Sequence, residues 1–290
     1  MDGGFMQKKV LLVGLGVMGS RIAANFASAG KLAGVYDRNV DKAKNTASML
    51  KVGFYRDLGE AVKNSDIIVT MLYDDRSVKE VYSQMEQGVQ GKVFIDMSTI
   101  SPDTSIEIAK RIKEKGGKMY DAPVIGTSIA VEKKALVVLV GGDLSGYDEV
   151  RDLISATANQ VVYMGDNGSG LYAKLVNNLF LGSYMASLAE AVRFGRKNGI
   201  PDSTISDVLT KYSSARSPTS DLKVPKMISE DYSVQFSIKN MLKDMEIVDR
   251  MASEKRIALP VASLALQLFR YLMDSGYGEE DIAAIYRALR

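Results

Sequence analysis

Through residue 165 the chain alternates short, β-branched apolar runs with longer stretches whose apolar positions recur every three or four residues. The runs at 9–13, 33–36, 66–71, 93–97, 135–140 and 160–164 predict strands, and their near-continuous apolar character predicts burial on both faces. Between them the spacing predicts helices over 18–29, 41–50, 77–86, 102–115 and 146–157. One helix start is explicit: Ser101 is placed to cap, Pro102 takes the first helical position and Asp103 follows in the first turn. Strand and helix in alternation predict an α/β fold with a mainly parallel, doubly wound sheet.

After Gly165 the strand pattern ends. The longest helical stretch covers 170–198, where Leu171, Leu175, Leu179, Leu181, Met185, Leu188 and Val192 leave most of the circumference apolar, which predicts a long buried helix. Further helices are expected at 203–212, 238–258, 261–275 and 279–289, divided by Pro201, Pro218, Pro225, Pro260, Gly276 and Gly278. The stretch 213–220 reads as a polar loop. The expected organisation is an α/β domain over 6–165 and an all-α domain over 166–290, joined by the long helix.

Composition narrows the chemistry. The 290 residues are 46% hydrophobic and 25% charged, the ordinary mix of a chain able to bury a core. Thirty-seven basic against 35 acidic residues leave a net charge of +2, so nothing argues for nucleic acid or an anionic membrane surface. No apolar run approaches the roughly 18 residues needed to span a bilayer. Lys8 and Lys9 before an apolar run imitate a signal peptide, but glycines and Arg21 interrupt it at once, and the chain reads as cytoplasmic. Residues 1–5 read as a leader, with Met6 as an alternative start. There is no cysteine and no histidine. Disulfides, thiolate catalysis and imidazole catalysis are thereby excluded, no metal site is expected, and proton transfer falls to Lys, Asp, Glu or Tyr.

Val10-Leu11-Leu12-Val13 leads directly into Gly14-Leu15-Gly16-Val17-Met18-Gly19, a GxGxxG with a strand before it and a helix after it. In that context the glycines serve a tight turn, backbone approach to a pyrophosphate, and close helix–strand packing, with the helix N-terminus facing the phosphates. Asp37 ends the next strand, where a dinucleotide-binding Rossmann domain places the acidic residue that meets the adenosine ribose. That carboxylate favours NAD over NADP, while Arg38 beside it is suited to a 2′-phosphate or to stacking on adenine, so NADP stays open.

The motifs Gly14–Gly19, Asp96-Met97-Ser98-Thr99-Ile100-Ser101-Pro102, Asp121-Ala122-Pro123-Val124, Gly168-Ser169-Gly170 with Lys174 and Asn178, and Lys243-Asp244 occur in this order along the whole chain. This set resembles the β-hydroxyacid dehydrogenase family of 3-hydroxyisobutyrate dehydrogenases, tartronate semialdehyde reductases and glyoxylate/succinic semialdehyde reductases. The resemblance implies Lys174 as general acid/base and Asn178 as a substrate-holding residue. It also places Met71, Leu72, Thr99 and Lys243 at the cofactor, and Ser98, Val124, Ile125, Gly126 and Thr127 at the substrate. Independently, Lys174 and Asn178 project from the same helix face one turn apart. A lysine on so apolar a helix otherwise snorkels to solvent. Gly168-Ser169-Gly170 offers a small entry for a ligand near backbone, and Lys243-Asp244 reads equally as an exposed pair on a charged face. A lysine base in the oxidation direction predicts a rate that rises toward alkaline pH.

One departure bears on substrate. The family commonly reads Asp-Ala-Pro-Val-Ser-Gly-Gly, whereas here Ile125-Gly126-Thr127 follow Val124. Isoleucine removes a hydroxyl from the carboxylate-binding position and adds bulk. The expected partner is thus a small carboxylate or carbonyl substrate, within a homodimer or homotetramer. Two alternatives remain: an imine reductase on the same plan, against which Lys174 counts, and a non-catalytic dinucleotide-binding protein. A 6-phosphogluconate dehydrogenase would place a histidine before Asn178, where this chain has Asn177.

Overall fold

Alternating side chains along β1 (Val10–Val13) show how the sheet is built. Val10 and Leu12 enter one apolar cluster with Ile22, Phe26 and Val35, while Leu11 and Val13 enter another with Val62, Tyr82, Phe94 and Ile108. A strand buried on both faces is what a parallel sheet with helices on either side requires. The structure, a computed structural model, describes residues 8–289. The leader at 1–5 and the alternative start at Met6 lie outside the described residues. The chain divides into two units, the first ending at Lys174 and the second beginning at Leu175.

In the first unit, β1 is followed by α1 (Val17–Ser28), β2 (Leu32–Tyr36), α2 (Val40–Leu50), β3 (Gly53–Phe54), α3 (Leu58–Lys63), β4 (Ile67–Thr70), α4 (Asp75–Met85), β5 (Val93–Asp96), α5 (Pro102–Glu114) and β6 (Lys118–Asp121). Then come β7 (Val124–Ile125), α6 (Ser128–Glu132), β8 (Leu136–Gly141), α7 (Tyr147–Ile154) and β9 (Ala158–Gly165). The sheet runs β3-β2-β1-β4-β5-β6-β8-β7, with β9 pairing β8. From β3 to β6 every pairing is parallel; β8 runs antiparallel to β6 and β7. The order 3-2-1-4-5-6 is that of a Rossmann domain, and its direction reverses between β1 and β4, the place where such sheets hold ligands beyond their carboxyl ends.

The polar-flanked or very short elements β3, β6, β7, α3 and α6 escape the periodicity reading. Ser101 precedes α5, but its side chain makes no capping bond. Instead Asp75, in the first turn of α4, accepts the Ser101 N–H at 3.2 Å and the Thr104 hydroxyl.

Helix α8 (Ser169–Lys197) carries the chain into the second unit. Its buried positions follow one stripe, among them Leu175, Asn178, Met185, Leu188, Ala189 and Val192, while Val176, Phe180 and Phe194 stand exposed on its other side. α9 (Asp202–Asp207) passes into a π-helical turn at Val208–Tyr212. The expected loop at 213–220 is in part the start of α10 (Pro218–Ser229): Ser217 and Ser220 cap it reciprocally, and it continues through Pro225, which was expected to break it. α11 (Ile238–Glu254), α12 (Pro260–Asp274) and a 3₁₀ segment at Ile282–Leu289 complete a helical core around Met241, Met245, Leu266, Phe269 and Ile285. No helix among the described residues is long and apolar enough to cross a membrane.

Candidate active site

The loop after β1 divides its six residues by role. Gly14, Leu15 and Gly19 are buried, while Gly16 and Val17 face outward and Met18 is half-buried. Gly14 has φ +93°, and a Cβ there would stand 2.4 Å from the Met71 carbonyl oxygen. A Cβ on Gly19 would stand 2.0 Å from the Gly14 oxygen. These two glycines let backbone pack on backbone. A Cβ on Gly16 would meet nothing within 4 Å, so the protein itself places no demand for glycine there and the space above its backbone is open. Gly16 is also the N-cap of α1 and no side chain caps that helix, so its first N–H groups and its positive dipole end face the open side of the loop. The cradle fits a dinucleotide pyrophosphate.

Asp37 stands just past β2 with its carboxylate fixed at both oxygens. Leu15 N–H donates to Oδ2 at 2.8 Å and Asn39 N–H to Oδ1 at 2.9 Å. The Leu15 side chain lies in the core and its N–H serves Asp37, so it shapes the cradle from within. Arg38 is exposed beside Asp37. Met71 and Leu72 follow β4, both half-buried, and the Met71 N–H is tied to the Val13 carbonyl. The cofactor-assigned residues from β1, β2 and β4 are thus gathered at the carboxyl edge of the sheet, on either side of its reversal point.

Ser98 lies just past β5. It is fully buried; its hydroxyl donates to Asp96 Oδ1 at 2.6 Å and accepts the Leu72 N–H at 2.8 Å. The same Asp96 oxygen accepts the Thr70 hydroxyl at 2.7 Å. Ser98 therefore braces the Leu72 loop, and its hydroxyl is engaged within the protein. Thr99, next in the chain, is half-buried in the loop before α5. Val124 and Ile125 form β7 against Val138 and Val137 of β8, with Val124 buried and Ile125 half-buried. Gly126 is exposed at φ +136°, and Thr127 starts α6 without its hydroxyl capping that helix.

Asp121, in the sequence no more than the first residue of the Asp-Ala-Pro-Val motif, holds the start of α8. Its Oδ1 accepts the Gly168 N–H at 2.6 Å and its Oδ2 accepts the Leu171 N–H at 2.9 Å. Burial pushes its carboxyl up to about 6, against the pull of those two donors. Gly168 and Gly170 pack closely against the first unit on the side where a Cβ would stand, while Ser169 between them is half-buried. A Cβ on Gly168 would stand 2.8 Å from Ile106, and one on Gly170 would stand 2.3 Å from the Leu139 oxygen. Lys174 follows on α8 with only 8% of its surface exposed.

In the second unit Asn178 is fully buried and its Nδ2 donates to Asp244 Oδ2 at 2.6 Å, while its Oδ1 accepts from Asn177 at 2.9 Å. Lys243 Nζ lies 2.8 Å from Asp244 Oδ1. Asp244 is 2% exposed, so the pair is not the solvated pair of a charged face. Asp244 is the residue here that sequence reasoning missed as a participant. Its sequence signals were its place in the Lys243-Asp244 motif and its position on the apolar stripe formed by Met241, Met245 and Val248.

Residues 9–165 match the family model described as the NAD binding domain of 6-phosphogluconate dehydrogenase. Residues 168–289 match the one described as NAD-binding of NADP-dependent 3-hydroxyisobutyrate dehydrogenase. The chain is 30% identical to mitochondrial 3-hydroxyisobutyrate dehydrogenase of Drosophila melanogaster, over 98% of this chain and 90% of that protein. It is 32% identical to 2-(hydroxymethyl)glutarate dehydrogenase of Eubacterium barkeri, over 96% of this chain and 94% of that protein. A solved structure of Mycobacterium tuberculosis 3-hydroxyisobutyrate dehydrogenase with L-serine is similar at a TM-score of 0.90 and 26% identity, covering 98% of this chain and all of that one.

Proposed function

The chain belongs to the β-hydroxyacid dehydrogenase family of NAD(P)-dependent oxidoreductases, and from that premise we propose that it oxidises the primary alcohol of a 3-hydroxy acid branched at carbon 2, reversibly, with Lys174 as the proton-transferring group. Three of the molecules named with its relatives (3-hydroxyisobutyrate, 2-(hydroxymethyl)glutarate and L-serine) share one unit, a CH2OH group on the carbon that bears the carboxylate. They differ only in the second substituent on that carbon. That shared unit is the substrate class proposed here.

The bound nicotinamide supplies the hydride acceptor in oxidation and the donor in reduction. The residues of the chain do the rest. Gly16, Val17 and Met18 present the first turn of α1 to the pyrophosphate, and Asp37, held by Leu15 and Asn39, takes the ribose and favours NAD. In oxidation Lys174 Nζ takes the hydroxyl proton as the carbonyl forms; in reduction its ammonium returns that proton to the carbonyl oxygen. Asn178 has one Nδ2 hydrogen on Asp244 and retains the second for a substrate oxygen. The observation that carries the reading is a buried lysine one helical turn from a buried, carboxylate-oriented asparagine. This pair also weighs against a non-catalytic dinucleotide-binding protein, which has no use for a buried proton donor.

Turnover of NAD and of NADP with the three named alcohols, and with analogues lacking the carboxylate or the CH2OH group, tests the proposal. Reduction of cofactor by at least one branched 3-hydroxy acid, with none from either analogue, is expected. Turnover of the carboxylate-free analogue at an equal rate contradicts the proposed substrate class.

A further inference from the structure

We infer that Asp121 is a positioning residue for proton transfer: it sets the first turn of α8 and thereby the placement of Lys174. The inference rests on the reading of Lys174 given above. A helix leaves its first N–H groups without internal acceptors, and a side chain at the cap position ordinarily accepts one of them. α8 starts at Ser169, and the residue before it is Gly168, which has no side chain to offer. Asp121, distant in sequence at the end of β6, fills the gap by accepting the N–H of Gly168 at 2.6 Å and of Leu171 at 2.9 Å. The carboxylate is fully buried, and room for it exists because its neighbours lack side chains. A Cβ on Gly141 would stand 2.6 Å from Oδ1, and one on Gly170 would stand 2.9 Å from Oδ2.

No other side chain keeps both bonds. Asparagine sets an N–H2 group against one of the two donors. Alanine leaves both donors buried without an acceptor, and glutamate needs a methylene's space that Gly141 and Gly170 do not leave. Leu171 is anchored less than one turn before Lys174, so a shift of the first turn is carried directly to the lysine. Proton transfer needs donor and acceptor within hydrogen-bond reach, and a misplacement of about 1 Å costs on the order of 100-fold in rate.

Burial, seconded by Asp96 opposite on β5, raises the Asp121 carboxyl to about 6. β8 brings Gly141 against it, and α8 brings N–H groups. Protonation turns one carboxylate oxygen into a donor, so one of the two helix bonds is lost as pH falls through about 6.

The test compares Asp121→Asn and Lys174→Ala with the native protein, reading kcat, substrate KM, cofactor Kd and the pH profile of kcat. Asp121→Asn is expected to lower kcat by roughly 30-fold or more while cofactor Kd stays within about threefold. In the reduction direction, where Lys174 acts protonated, the loss of kcat below about pH 6 in the native protein should be absent from the variant. In the native protein, the amide resonances of Gly168 and Leu171 should shift together with that same midpoint, a readout that does not depend on the variant folding. Native kcat in Asp121→Asn beside a dead Lys174→Ala overturns this inference alone, as do amide shifts that stay constant across that midpoint. Native rates in Lys174→Ala overturn the reading of Lys174 and, with it, the purpose assigned to Asp121.

Discussion

Replacing Gly16 and Gly19 by alanine, one at a time, should separate binding from folding within a single six-residue loop. Gly16 has φ −60° and ψ −174°, extended backbone that alanine adopts freely, and its Cβ position is open to 4 Å. Alanine gains about 0.4–1 kcal/mol by restricting the unfolded chain and loses a comparable amount as a poorer helix cap, so stability should change by less than about 1 kcal/mol. The melting temperature should then move by no more than about 4 °C. The new methyl, however, occupies the approach to the helix N–H groups. Losing one charge-assisted bond to phosphate costs about 1.5–3 kcal/mol, which raises the Kd for NAD(P) by roughly 10- to 100-fold. Gly19→Ala is the opposite case. Its methyl would lie 2.0 Å from the Gly14 oxygen, a backbone atom that cannot step aside, so the helix must move off the strand. Overpacking of this kind costs about 1–3 kcal/mol or more. Thermal melts with and without cofactor, and fluorescence titration of NADH and NADPH, read both effects. If Gly16→Ala melts as early as Gly19→Ala, or binds cofactor at native affinity, the assignment of the open side of the loop to the pyrophosphate is wrong.

Asp244→Ala should lower kcat for the alcohol by about tenfold or more, because Asn178 loses the acceptor that orients it; steady-state kinetics at saturating cofactor check this. Asp281→Asn should destabilise the protein by about 3–5 kcal/mol in urea unfolding, because Lys223 is left buried without its charge partner, 2.8 Å away. Lys223→Met combined with Asp281→Asn should cost less than the sum of the two single changes. Asp121 binds its proton more tightly folded, at about 6, than unfolded near 3.8. Its contribution to stability therefore grows as pH falls through that window, and the advantage of the native protein over Asp121→Asn in urea should widen from pH 7 toward pH 5.

The longer strands and helices of the first unit were legible because burial on two faces and burial on one stripe leave different periods in the sequence. The cradle was legible for the same reason: Gly14, Gly16 and Gly19 each answer a separate backbone demand. β6 was hidden because only Met119 and Tyr120 are apolar between Lys118 and Asp121, and the burial of Asp121 depends on donors from a helix distant in the chain. The internal partners of Ser98 and Asp244 were hidden on the same ground. A hydroxyl or carboxylate shows its type in the sequence, but whether its partners are internal is decided by tertiary packing. Pro225 was read as a break because a proline removes one helix bond, whereas reciprocal capping at Ser217 and Ser220 and burial of Val224 and Met227 hold α10 together across it.

The central claim is that Lys174 moves the proton in hydride exchange between NAD(P) and a branched 3-hydroxy acid. Single-turnover reduction of NAD by the best alcohol in the panel, in native protein and in Lys174→Ala at saturating cofactor, tests it most directly. The account predicts a loss of roughly 100- to 10,000-fold in the chemical step with cofactor affinity retained. A variant that transfers hydride within a fewfold of the native rate would contradict it.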